Sequence, residues 1–194
     1  MMKSCFRVAA LISLIPLFGS LHAGVTPTTF NVADYGAVAD GTTKCTAALQ
    51  KAIGACAAAG GGTVSFPAGK YLTGSLQLES NLTLDLQPGA ELLYSGDPAD
   101  SPIVAARWES TNVFMHAPLI YANGKQNIAI TGRGTLNGQG WKWWWRSGRG
   151  TPPAGSDPAA AREAWRKIYT RVEAGEKLTA ADFTVAAEFL RPSL

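Results

Sequence analysis

Three kinds of side chain here are spaced so that they could do chemistry: paired carboxylates, a tryptophan cluster and an Arg-Trp-Glu run. Asp34 and Asp40 flank a glycine-containing turn, and Asp97 and Asp100 bracket Pro98-Ala99. Two carboxylates can divide general acid and general base roles, or hold a cation weakly. At a turn the same oxygens accept backbone N–H groups more readily. Turn bonding is therefore the expectation for Asp34 and Asp40, and a solvated loop for Asp97 and Asp100. Arg107-Trp108-Glu109 sets a guanidinium, which suits carboxylates, beside an aromatic face. Trp141, Trp143, Trp144 and Trp145 fall within five positions. Such rings either stack on a ligand or bury a loop, and burial is expected for Trp144 and Trp145. Gly132, Gly134 and Gly138 miss the phosphate-loop spacing by one position, and no long helix follows at once, so a turn between strands is expected.

Redox and metal chemistry find little support. Cys45 and Cys56 lie eleven positions apart on an expected helix, which separates them by roughly 16 Å along the axis. A disulfide needs Cα atoms within about 7 Å, so two small buried apolar side chains are expected. His116 is the one histidine downstream of the leader. Zinc is thereby disfavoured, and neither a metal nor a cofactor is expected.

The elements that must position these groups begin after an address. Lys3 and Arg7 precede an apolar run from Val8 to Leu21, and Ala23 is small enough for a cleavage site. Residues 1–23 read as a secretory signal peptide; the run is too short to span a membrane, which needs roughly 20 apolar residues. The product is expected to be secreted or periplasmic, with no membrane partner after cleavage. Removing Lys3 and Arg7 leaves 15 basic and 14 acidic residues, a net charge of +1. That balance gives no case for nucleic acid.

Residues 24–194 are long enough to hold one domain of ordinary size and read as the N-terminal portion of one. The stretch 30–69 reads as an entry strand, a capping helix and a second strand. The helix is expected to start at Thr42 or Thr43. It carries an apolar stripe of Cys45, Leu49, Ile53 and Cys56 and ends at Gly60-Gly61-Gly62. Over 70–140, short segments alternate with period two between Gly and Pro turns, as half-buried strands do. Asn81-Leu82-Thr83-Leu84 is echoed by Asn127-Ile128-Ala129-Ile130, a faint repeat that suits stacked coils; a sandwich could show the same alternation. Residues 141–190 read as an inserted region with helices over Ala159 to Glu173 and Ala180 to Leu190. Asp157-Pro158 starts the first, and a capping box from Thr179 to Asp182 starts the second. Residues 191–194 look like the start of a further coil.

Four ordered motifs carry a family resemblance: Asp34-Tyr35-Gly36-Ala37 with Asp40-Gly41-Thr42; Gly60-Gly61-Gly62-Thr63-Val64 with Phe66-Pro67-Ala68-Gly69; Leu119-Ile120-Tyr121-Ala122 with Asn127-Ile128-Ala129-Ile130-Thr131-Gly132; and Gly134 to Gly140 before the tryptophans. From about Phe30 onward the chain resembles the N-terminal part of glycoside hydrolase family 28, the polygalacturonase family. The resemblance implies an all-β, right-handed parallel β-helix, incomplete in this chain, with an N-terminal capping helix and a helical inserted loop. It also implies inverting hydrolysis of α-galacturonan in pectin, which pairs an acid with a base-activated water. That family works through Asn-Thr-Asp, Asp-Asp, Gly-His-Gly and Arg-Ile-Lys motifs. None of the four occurs here, so catalytic residues are expected beyond Leu194 and none within the chain. Arg107, Trp108, Glu109 and Trp141 are the expected substrate contacts, and pectic polysaccharide the expected partner of a full-length monomer. A non-catalytic polysaccharide-binding or adhesin β-helix, or a pectate-lyase-like protein, stays open. Residues 24–194 alone are expected to aggregate or stay partly unfolded, and to release no reducing sugar.

Overall fold

The computed structural model describes residues 28–108, 110–143, 151–152 and 155–186. The leader, Glu109, Trp144, Trp145 and 191–194 lie outside the described residues. The alternating segments wind into a column. Face A stacks β1 (Thr29–Asn31), β3 (Gly62–Phe66), β6 (Leu82–Leu86) and β11 (Ile128–Gly132), all parallel. Face B stacks β2 (Asp40–Lys44), β4 (Gly69–Thr73), β7 (Ala90–Tyr94) and β12 (Thr135–Asn137), again parallel. Face C pairs β5 (Leu76–Gln77) with β10 (Ile120–Tyr121). This is the expected right-handed parallel β-helix, and it excludes the sandwich.

Period-two alternation fills the column. Leu82, Leu84 and Leu86 of β6 point inward beside Ala90, Leu92 and Tyr94 of β7, and all six are buried. Burying one such leucine contributes about 1.5–3 kcal/mol. The faint repeat is a true register: Ile128 sits opposite Leu82 and Ile130 opposite Leu84. Asn127 donates its side-chain amide to the Asn81 Oδ1 at 2.9 Å, and both adopt left-handed backbone, φ 56° and 60°. Gly61 occupies the same corner one coil earlier at φ 122°. A Cβ there would fall 2.3 Å from the Asn81 carbonyl oxygen, which explains why glycine stands at this position.

The capping helix α1 (Thr46–Ala58) starts later than expected. Thr42 and Thr43 belong to β2, because the Asp40 carboxylate takes both of their N–H groups at 2.7 Å. Cys45 occupies the cap position, with its N–H bonded to the Leu72 carbonyl, so strand pairing holds on until the helix begins. The stripe of Cys45, Leu49, Ile53 and Cys56 is buried as expected, the two thiols unbridged.

One departure from parallel winding is β8 (Ile103–Trp108) and β9 (Thr111–His116), an antiparallel hairpin. Arg107 and Trp108 end its first strand. The inserted region also forms helices: α2 (Pro158–Glu173), capped by Asp157, and α3 (Ala180–Phe183). The Asp182 carboxylate accepts the N–H and hydroxyl of Thr179, as the capping box required. The second helix is shorter than expected, giving way to a 3-10 turn at Thr184–Ala186; 187–190 lie outside the described residues. Val113, Met115, Ile168 and Phe183 bury one another, so hairpin and helices share a second core outside the column.

Candidate functional site

Hairpin and helical insertion both leave the column at the corner that follows face B, after β7 and after β12 respectively. They therefore rise beside face C. Between them lies a groove of about 1400 Å³. Its floor is Gln77 and Tyr121, the outward partners of inward-facing Leu76 and Ile120. The Tyr121 hydroxyl reaches Gln77 Oε1 at 3.5 Å, and partial burial raises its pKa above that of a free phenol. Hairpin residues Val104–Arg107 and Ser110–Phe114 form one wall; Val172, Glu173 and Gly175–Leu178 form the other.

The floor is fixed from below by a side chain imitating a strand. Gln50 of α1 donates its amide to the Gln77 carbonyl at 2.9 Å and accepts the Gln77 N–H at 3.1 Å. A buried polar knot holds the hairpin base. Ser75 and Ser101 hydroxyls lie 3.0 Å apart, both donate to the Ala117 carbonyl, and the His116 Nδ1 donates to the Ser101 carbonyl at 2.7 Å. Asp100, expected in a solvated loop, is tied down instead. Its carboxylate accepts the Ser95 hydroxyl at 2.6 Å and pairs with Lys44 at 2.7 Å. That hydrogen bond raises the Lys44 pKa. Asp97 stands 3.9 Å from the same ammonium, so the possible cation of this carboxylate pair is the chain's own lysine.

The expected contacts divide. Arg107 is exposed and lines the groove. Trp108 ends β8 next to it, and Glu109 lies outside the described residues. Trp141 is 62% exposed but does not line the groove; its ring lies 5.5 Å from the Lys142 ammonium at the corner after β12. Trp143 is buried and stacked on Tyr94 at 5.9 Å, close to His116, so that ring packs the start of the insertion against the column; the burial expected for Trp144 and Trp145 falls outside the described residues. Gln77, Tyr121 and Lys177 were not singled out from sequence. Alternation could have found the first two, since Leu76 and Ile120 point inward; nothing local marks Lys177. Asp40 opens β2, and its carboxylate makes the local backbone bonds expected of it, accepting the N–H groups of Thr42 and Thr43 and the Thr43 hydroxyl. Among the described residues no three His, Cys, Asp or Glu side chains gather as a metal site, and no helix is long and apolar enough to cross a membrane.

Known proteins share this architecture. Residues 29–144 match the family described as rhamnogalacturonase A/epimerase, pectate lyase-like. An exo-poly-alpha-D-galacturonosidase of Dickeya chrysanthemi is 40% identical over 60% of this chain and 20% of its own length. A mannuronan C5-epimerase of Azotobacter vinelandii is 31% identical over 56% of this chain and 7% of its own. The solved structure of a hyperthermoactive exopolygalacturonase from Thermotoga maritima superposes with a TM-score of 0.73 at 30% identity, covering 85% of this chain and 37% of that one. The chain thus spans about a fifth of the first of these curated relatives.

Proposed function

From a chain that belongs to the rhamnogalacturonase A/epimerase, pectate lyase-like family, and that is polygalacturonase-like in its relatives, we propose a part in the hydrolysis of pectic galacturonan outside the cell. In this reading residues 1–23 direct export. The chain contributes the column and one stretch of the polysaccharide groove, while the inverting acid and base come from motifs these 194 residues do not contain. The observation that carries the reading is the groove over face C. Its floor is polar and aromatic, and its walls are built from two insertions. Ordinary small-molecule pockets hold about 300–1,000 Å³, so the space here suits a chain of sugars better than one ring.

The epimerase relatives support a second reading. Galacturonan and mannuronan are both polymers of uronic acid, so the common ground is a polyuronate chain, and the chemistry performed on it divides them. Affinity electrophoresis tests this. Polygalacturonate in the gel should retard the chain, neutral galactan should not, and no reducing ends should appear. Retardation by mannuronan alone would favour the epimerase reading. Free migration through both polyuronates would sink the polysaccharide assignment.

A further inference from the structure

Resting on the polyuronate reading above, we propose that Arg107 and Lys177, carried by two separate insertions, form a two-sided carboxylate grip on one uronate chain lying across Gln77 and Tyr121. Both side chains line the same groove as that floor. Arg107 comes from the hairpin wall and Lys177 from the loop after α2.

Charge accounting leaves both cations available. The groove also contains Glu173 and Glu176. Glu176, next to Lys177, is taken by Arg171, whose Nε and Nη2 donate to its two carboxylate oxygens at 2.8 and 2.6 Å. That fork holds the Glu176 carboxyl below its ordinary range and keeps it occupied. Arg171 also reaches Asp182 at 3.3 Å, which removes a second acid from the neighbourhood. Among the described residues neither Arg107 nor Lys177 enters an ion pair. Glu173 is the one groove acid with no such partner among the described residues, so the balance presented to a ligand is positive.

Position is fixed as well as charge. Phe114 of the hairpin packs on Phe183 of the helical insertion with ring centres 5.3 Å apart, and Trp165 packs on Phe183 at 6.1 Å. The two walls therefore form one packed unit, and neither must be ordered when the ligand arrives. A polyuronate carries a carboxylate on every sugar, so cations on facing walls can hold successive residues without reading the sugar's remaining hydroxyls. Such a grip selects for charge and tolerates a change of sugar.

Fluorescence anisotropy of dye-labelled tetragalacturonate tests the grip at submicromolar chain. Arg107→Ala and Lys177→Ala should each weaken binding by about tenfold, and Lys51→Ala on the exposed side of α1 should not. Arg107→Lys and Lys177→Arg should keep most of the affinity, and binding should fall with added salt. Undiminished binding by both alanine variants would overturn the grip and leave the polyuronate reading standing. No binding by the parent chain would overturn both.

Discussion

At the scale of single residues, Asp40 is the most strongly perturbed carboxylate among the described residues. Hydrogen bonds from the Thr43 hydroxyl and from the N–H groups of Thr43 and Thr42 hold it well below the usual range. A carboxylate depressed in the folded state contributes stability above its unfolded pKa and loses it as pH falls through the folded one. Glu91, bonded by Asn137 and Lys70, and Asp182, bonded by Thr179, are lowered too and act in the same direction. Urea midpoints should therefore fall as the pH drops below about 4. Asp40→Ala should be less stable than the parent at pH 6 and should show a flatter acid limb, and equal slopes for the two would contradict this account. The role of Asp40 was legible in the sequence because its partners lie two and three residues away. Tyr121 was not, because its place on the groove floor follows from pairing with Gln77, 44 residues earlier.

At the scale of elements, the strands and α2 were legible because alternation, Pro158 and Asp157 are local signals. The start of α1 was misplaced because Asp40 and the pairing of β2 with β4 compete for the residues a cap would use. The antiparallel hairpin was missed because its strands pair only with each other and its apolar face meets helices some 50 residues later. Two substitutions test the elements. Gly61→Ala forces a side chain into left-handed backbone against Asn81, at a cost of about 1–3 kcal/mol from strain alone, read as a lower urea midpoint. Phe183→Ala removes the ring shared by Phe114 and Trp165. It should expose residues 155–186 to limited proteolysis while the column stays resistant. Simultaneous digestion of both parts would show that the second core is not separate.

At the scale of the whole molecule, the column differs at its two ends. At the first, α1 covers the interior with Leu49, Ala52, Ile53 and Cys56, β1 is three residues long, and the register of β2 is broken between Asp40 and Lys44. Short, irregular, charged edge strands resist pairing with other chains. At the other, Ile130 and Leu136 continue the inward rows of Leu84 and Leu92, yet each is 46% exposed. The sequence revealed both apolar positions, but only stacking shows that they share one surface. The plug at the first end gives the column a direction: with Leu49 and Ile53 seated over its interior, that end offers no apolar mouth and little free backbone ladder, so another strand cannot extend the stack from there.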